Sequence, residues 1–256
     1  MADQMVGGGQ QNAIGSREFP KAKGQGITEE SSTQKASMGA KLEFSDGRVF
    51  RYAKASAAIS SSLVVSVADT ALDAADINDT FVAQAAGSTD FKLSARSGDT
   101  LDEYAGAYFG NITNGEQYRI KSNTASATVN GVANTVIFTL YDPLKTAIAT
   151  SDDYLITPSP YASVITATAV DGSYDRPVGV SPIGITSGYY FWLQTEGIAL
   201  IKVDSAEATT IGTPVTLSDG DAGRVAPQTA VAEPVIGICH TAGAVDTYSG
   251  VLLNLH

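Results

Sequence analysis

The residue types most capable of chemistry meet at Cys239 and His240, which adjoin near the carboxyl end. The chain has one cysteine and two histidines, the second being His256. A metal site usually needs three or four ligands, and neighbours on a strand point to opposite faces. No signature of a catalytic nucleophile surrounds Cys239, which ends an apolar run. The sequence therefore predicts a buried structural cysteine and no metal site.

Carboxylates offer the other candidate chemistry. Residues 219–223 resemble the start of a calcium loop, but Ala230 stands where an EF-hand needs an acidic ligand, so we expect a surface turn. Residues 102–103 and 152–153 are adjacent acidic pairs, whereas glycosidases take their two carboxylates from separate strands that face one cleft. The chain also has no phosphate loop, dinucleotide fingerprint or serine elbow. We therefore predict a non-enzymatic protein with no catalytic residue and no cofactor.

The element expected to organise the chain is residues 188–203. An aromatic run and a β-branched run flank Thr195, Glu196 and Gly197, which predicts a hairpin with its turn at these three residues. On the first strand, alternation places Tyr190, Trp192 and Gln194 on one face and Tyr189, Phe191 and Leu193 on the other. Large apolar groups on both faces predict a strand that is covered on two sides. We assign Tyr189, Tyr190, Phe191 and Trp192 to a core or an oligomer contact.

Turn dipeptides recur between short apolar runs along the rest of the chain. Asp46-Gly47, Asn114-Gly115 and Asn130-Gly131 each predict a tight turn between two strands. No long amphipathic helix is present, and only residues 70–76 have brief helical character. The sequence therefore predicts an all-β fold of β-sandwich or β-barrel domains. The residues expected in the core near the first turn are Leu42, Phe44, Phe50 and Tyr52.

Composition divides the chain into three parts. Residues 1–39 are rich in Gly, Gln and Ser and predict an extended, mostly irregular N-terminal arm that is flexible in solution. Turn-forming residues cluster at 171–177, so we expect a β-rich domain over residues 40–175 and a small β-barrel or β-sandwich domain over residues 176–256. The apolar points Ile14, Phe19 and Ile27 are spaced as anchors for a partner surface.

Charge and hydropathy narrow the classes of partner. The formal net charge is -11, and the charges of residues 1–39 cancel, so the whole acidic excess lies on the predicted body. A surface of that sign repels phosphate backbones, which predicts no nucleic acid partner. No run of about 18 apolar residues exists, and the first residues do not resemble a signal peptide, so we expect no membrane partner. The single cysteine fits synthesis in a reducing cytoplasm.

The last third of the chain carries a recognisable succession of segments. It contains Pro-Val-Gly-Val at 177–180, Gly-Tyr-Tyr-Phe-Trp-Leu-Gln-Thr-Glu-Gly at 188–197, Ile-Gly-Thr-Pro-Val-Thr-Leu at 211–217, Pro-Val-Ile-Gly-Ile at 234–238 and Val-Leu-Leu-Asn-Leu at 251–255. This pattern resembles the head decoration, or cement, proteins of tailed bacteriophages. The resemblance implies a virion protein on the outer capsid surface, a homotrimer that bridges neighbouring major capsid subunits and stabilises the capsid.

The same resemblance gives the arm a role as a clamp. Ile14, Phe19 and Ile27 would be its apolar anchors, and Arg17, Lys21 and Lys23 would meet carboxylates of the shell. A major capsid protein is a rival, but it normally has a long spine helix that this sequence lacks. A carbohydrate-binding or tail-fibre adhesion module is the alternative; it requires exposed aromatics, for which Tyr189, Tyr190 and Trp192 are the candidates.

Overall fold

A computed structural model describes residues 24–68, 80–170 and 173–255. These residues form 19 strands and no helix, so the prediction of an all-β fold is confirmed. Residues 70–76 lie outside the described ranges. The strands are β1 Lys41–Glu43, β2 Val49–Lys54, β3 Val64–Val67, β4 Thr80–Val82, β5 Asp90–Ser94, β6 Tyr108–Asn111, β7 Glu116–Asn123, β8 Ala127–Val129, β9 Val132–Leu140, β10 Tyr154–Thr157, β11 Val164–Thr166, β12 Ala169–Val170, β13 Ser173–Tyr174, β14 Pro177–Val180, β15 Tyr190–Lys202, β16 Pro214–Leu217, β17 Val225–Pro227, β18 Gly237–Thr241 and β19 Tyr248–Asn254.

The chain divides into two compact units, and their boundaries differ from those that the composition predicts. The first unit is Met1–Ala68 together with Ser163–His256, and the second unit is Asp69–Ala162. The predicted boundary at residue 175 differs because β2 pairs antiparallel with β15, which joins the beginning of the body to its end. Such long-range pairing leaves no trace in local composition. Among the described residues, no helix is long and apolar enough to span a membrane.

A ten-stranded antiparallel sheet forms the first unit. Its main path runs β11-β3-β14-β15-β19-β18-β16-β17, with β2 on β15 and β1 on β2. The sheet curls, so that Val225 of β17 forms a bridge with Val203, the residue that follows β15. The inner face of this curl buries an aliphatic core: Val64, Ala167, Val180, Ala199, Ile201, Val215, Leu217, Val225, Ile236, Cys239, Val251 and Leu253.

Strand β15 is continuous for 13 residues, so the hairpin predicted at Thr195, Glu196 and Gly197 is wrong. The register with β2 shows a bulge there, since Gln194 pairs with Phe50 while Glu196 pairs with the adjacent Val49. A bulge carries one extra residue, and it uses the same positive-φ glycine that a turn would use. Because the bulge adds one residue, the side chains that share a face change from even-numbered to odd-numbered positions. Tyr190, Trp192 and Gln194 before the bulge point to the same side of the sheet as Ala199 and Ile201 after it.

The second unit is a seven-stranded antiparallel sheet with the path β10-β6-β7-β9-β5-β4, and β8 pairs with β9. Aromatic rings stack through its core: Phe91 lies 4.1 Å from Phe109 and 4.7 Å from Phe138 between ring centroids. Next to these rings, the buried Arg96 forms an ion pair of 2.5 Å with Asp99 and donates a hydrogen bond to the Tyr104 hydroxyl. This polar group fixes the loop between β5 and β6 to the core.

The three predicted dipeptide turns are confirmed. Gly47, Gly115 and Gly131 each have positive φ, and they connect β1 to β2, β6 to β7 and β8 to β9. The residues predicted for the core around the first turn are all buried: Leu42, Phe44, Phe50 and Tyr52.

Candidate functional site

A set of specific contacts in the first unit joins residues 24–39, here called the docked segment, to β2 and β15. Its central residue is Gln25, a polar side chain with 2% exposure. The Gln25 amide nitrogen donates to the carbonyl oxygens of Glu29 and Tyr190 at 2.9 and 2.8 Å. Its Oε1 accepts a hydrogen bond of 2.7 Å from the Tyr52 hydroxyl. Every polar atom of this buried side chain therefore has a partner, as burial requires.

The backbone of the docked segment closes over an aromatic cluster that we call the arm seat: Tyr52, Tyr190 and Trp192. The Trp192 indole nitrogen donates to the carbonyl oxygen of Gln25 at 3.2 Å. The backbone N–H of Lys35 donates to the Tyr52 hydroxyl at 2.9 Å. Tyr52 and Trp192 pack edge to face with ring centroids 4.9 Å apart. The segment thus covers the inner face of β15 on the Trp192 side of the bulge.

Further contacts hold the docked segment along its length. Ser31 and Tyr190 form an antiparallel bridge with two backbone hydrogen bonds of 3.0 and 2.8 Å. The Glu30 carboxylate accepts bonds from the backbone N–H and the hydroxyl of Thr186 at 2.6 and 2.9 Å. Closer to the body, Ala36 and Met38 are buried. The segment is therefore an ordered part of the first unit.

This docking changes the limits of the predicted arm. A flexible arm was expected up to residue 39, whereas residues 24–39 pack on the sheet. The composition of residues 24–39 did not predict this docking, because backbone groups and the Gln25 side chain, rather than apolar side chains, make most of the contacts with the sheet. Of the six predicted anchors, Ile27 is half-buried within the segment. The other five lie outside the described residues: Ile14, Arg17, Phe19, Lys21 and Lys23.

The four aromatic residues predicted for a core or an oligomer contact separate into two pairs. Phe191 and Trp192 have no exposed surface, whereas Tyr189 and Tyr190 are half-buried. A ring with no exposed surface cannot stack on a sugar, so Trp192 is not a glycan platform in this structure. Its indole serves the arm seat instead.

The cysteine and histidine at 239–240 lie on opposite sides of β18. Cys239 is buried, with its sulfur 3.5 Å from the Ser249 hydroxyl, and His240 is exposed. Within the described ranges, no three His, Cys, Asp or Glu side chains are grouped so that they could hold a metal ion. The predicted buried cysteine is confirmed.

Three of the carboxylates considered for chemistry accept hydrogen bonds that support turns. Asp221 accepts a hydrogen bond of 2.8 Å from the Ser205 backbone, and hydrogen bonding from Ser205 holds the pKa of the Asp221 carboxyl below its ordinary value. Asp152 accepts from Asn111 and from the backbone of residue 149. Glu103 accepts from the backbone and hydroxyl of residue 100. Each carboxylate is thus engaged by its own loop or by a neighbouring one.

A second surface feature, missed at the sequence level, lies on the outer side of the ten-stranded sheet. Ile198 of β15 pairs with Leu252 of β19, and Leu252 pairs with Ile238 of β18, so the three side chains are neighbours on one side of the sheet. Five large side chains of these strands are exposed by between 42% and 57%, and we call them the outer apolar face: Ile198, Leu200, Ile238, Tyr248 and Leu252. The signal was present, since residues 198–201 are apolar at successive positions and one face of a strand in a curled sheet must meet solvent or a partner.

The second unit exposes two aromatic rings beside an arginine. Tyr108 pairs with Arg119 across β6 and β7, and the guanidinium of Arg119 lies 5.3 Å from the ring centroid of Tyr141. Tyr108 and Tyr141 are 39% and 46% exposed. Flat exposed rings with a neighbouring cation are a surface on which a polar ring compound can stack.

Comparison with protein-family models, with curated proteins and with solved structures finds no match to this chain.

Proposed function

We propose that this chain is a non-enzymatic virion protein that decorates the outside of the capsid of a tailed bacteriophage and stabilises it by bridging neighbouring major capsid subunits. In this proposal, the body made of the two β units rests on the shell, and the residues before the docked segment act as the clamp. The resemblance of residues 177–255 to head decoration proteins provides the class of partner, and the contacts of the docked segment provide the mechanism.

The observation that carries the proposal is the fixed attachment of the chain at Gln25. Because Gln25 is bound to Tyr52, Trp192 and Tyr190, the 23 residues before the docked segment start from a defined point on the body. A chain of that length spans at most about 75 Å when extended, enough to reach a neighbouring subunit. A clamp needs such an anchorage, since load on the clamp must pass into the folded body.

Charge separates the clamp from the body. Residues 1–23 contain three basic side chains and two acidic ones, for a net charge of +1, whereas the rest of the chain carries -12. An acidic shell surface would repel the body and attract the clamp. Ion pairs at a surface contribute only about 0–1 kcal/mol each, so Ile14 and Phe19 are expected to dominate the affinity.

Truncation at the start of the docked segment tests this function. A variant lacking residues 2–23 keeps the contacts that residues 24–39 make with the arm seat, so its thermal unfolding should match that of the full chain. It should fail to bind undecorated capsids in a co-sedimentation assay. A matched variant, Phe19→Ala with Ile14→Ala, keeps the length and charge of the clamp and should also lose most binding. Equal capsid binding by the full chain and both variants would refute the proposed clamp.

A second candidate function, glycan binding in a tail-fibre type adhesion module, is favoured by the exposed Tyr108 and Tyr141 and the half-buried Arg119 of the second unit. Tyr108→Ala and Tyr141→Ala change exposed side chains, so both variants should fold as the native chain does. Loss of binding to a glycan array in both variants would support adhesion. The absence of any glycan bound by the native chain would reject it.

A further inference from the structure

The outer apolar face combines hydrophobicity with an absence of carboxylates. Residues 197–202, 237–241 and 248–254 of β15, β18 and β19 contain no Asp or Glu, and their basic residues are Lys202 and His240. The half-buried Glu196 of β15 pairs with Asn254 at one end of the face, outside its five apolar side chains. The chain as a whole has 27 acidic residues against 16 basic ones. Two copies of so acidic a chain repel each other over most of their surface. Across the five apolar side chains, however, they can approach with Glu196 of each copy at the border of the contact.

The size of the face also fits a second copy. The exposed fractions of its five side chains correspond to about 500 Å² of apolar surface, near the upper end of what monomers expose. Face-to-face burial on two copies would remove about 1,000 Å² from these side chains alone. The half-buried Pro214 and Lys202 and the exposed Asn254 border the face. Their burial would bring the contact into the range of about 1,200–2,000 Å² seen in stable complexes.

The shape of the face suits pairing about a two-fold axis. Ile198, Leu252 and Ile238 form a row across three hydrogen-bonded strands, perpendicular to the strand direction. A two-fold axis along this row would place each of these residues opposite its own copy. Such an isologous contact uses the same surface on both copies, so it gives a dimer and no larger assembly. Two sheets in face-to-face contact lie about 10 Å apart, a spacing that such side chains fill.

We infer that the outer apolar face is the interface between two copies of this chain in solution. The inference adds a self-association site to the proposed function. It rests on the proposed function only in the assumption that the chain is a structural protein that assembles with other subunits. It favours a dimer over the trimer that the resemblance implies. The capsid-binding clamp and this interface are then separate: residues 1–23 bind the shell, and β15, β18 and β19 bind the second copy.

Sedimentation equilibrium of the full chain over micromolar concentrations tests the inference. The native chain should have the mass of a dimer, and Leu252→Asp should weaken association at least tenfold with an unchanged circular dichroism spectrum. Val231→Asp is the matched control, because Val231 is fully exposed in a loop outside the face, and it should remain dimeric. A native chain that stays monomeric, or a Leu252→Asp variant that stays dimeric, would overturn the inference.

Cross-linking gives a second readout that keeps the face largely apolar. Since Cys239 is buried, Leu252→Cys introduces the one exposed thiol of the described residues. Facing sheets are too far apart for a direct disulfide, so a short bismaleimide is the reagent. Leu252→Cys should cross-link to a dimer and Val231→Cys should not; the reverse would contradict the two-fold contact. Both assays use the isolated chain, so their failure is distinguishable from a failure to bind capsids.

Discussion

The hydroxyl of Tyr52 donates a hydrogen bond of 2.7 Å to Oε1 of Gln25, a residue 27 positions away in the chain. This single contact ties the docked segment to the second strand of the body. The same hydroxyl accepts a hydrogen bond from the backbone of Lys35, so it joins both ends of the segment. The Tyr52 ring in turn packs on Trp192 of the central strand.

Removal of that hydroxyl should therefore weaken the first unit. Tyr52→Phe leaves the Gln25 oxygen and the Lys35 N–H without their partner, and an unsatisfied buried polar group costs about 1–3 kcal/mol. Urea denaturation should show a loss of that size in the free energy of unfolding. The exposed Tyr141 provides the control, since the free energy of unfolding of Tyr141→Phe should differ from that of the native chain by no more than about 0.5 kcal/mol. Equal stability of the two variants would mean that the docked segment adds nothing to the fold.

The two possible truncations of the N-terminus should behave differently. Deletion of residues 1–39 removes the cover of the arm seat, so the melting temperature should fall by several degrees and the fluorescence maximum of Trp192, the only tryptophan, should move to longer wavelength. Deletion of residues 1–23 should change neither quantity. A truncation to Ala40 with native fluorescence would show that the docked segment does not protect Trp192.

Two glycines with the same φ of +81° separate backbone strain from steric conflict. A Cβ at Gly212 meets no atom within 4 Å, so Gly212→Ala should cost only about 1–2 kcal/mol for the left-handed conformation. A Cβ at Gly197 would lie 2.9 Å from the Cα of Arg48. Gly197→Ala should therefore be clearly more destabilising than Gly212→Ala in thermal unfolding. The opposite order would be inconsistent with the bulge.

The second unit should lose stability in alkali. Burial raises the pKa of Tyr104 to about 12 in the folded chain, above the ordinary value of 10.0. Below pH 10 the phenol is protonated in both states, so its contribution is fully present. Between about pH 10 and 12 the unfolded chain loses the proton first, which favours unfolding. Urea denaturation across this range should show a steep decline.

Tyr104→Phe should flatten that decline, although it lowers stability at neutral pH because Arg96 loses its hydrogen bond to the phenol. The matched control is Tyr108→Phe on the surface, which should retain the native slope. An unchanged slope in Tyr104→Phe would exclude this tyrosine as the cause.

Local signals allowed much of the fold to be predicted, and long-range pairings account for the rest. Asp46-Gly47 determines a hairpin through φ preferences alone, and the structure has it. Gly197 carries the same signal, but here both flanking segments continue as one strand because β2 and β19 pair with it on either side of the bulge. Only tertiary contacts distinguish a bulge from a turn at such a glycine.

The candidate sites show the same division. The burial of Trp192 and Cys239 follows from their apolar surroundings in the sequence. The role of Gln25 does not, since its partners Tyr52 and Tyr190 lie 27 and 165 residues away. The outer apolar face also emerges only when the register places Ile198 beside Leu252 and Ile238.

The proposed role in capsid decoration is tested most directly by the protein composition of virions purified from the bacteriophage that the proposal implies. After sedimentation, the protein should migrate with the particles in a fixed ratio to the major capsid protein. Treatment with protease should remove it from intact particles, as expected for an outer surface location. Absence of the protein from purified particles, or its presence in only a few copies at the tail, would contradict the proposal that it is a capsid decoration protein.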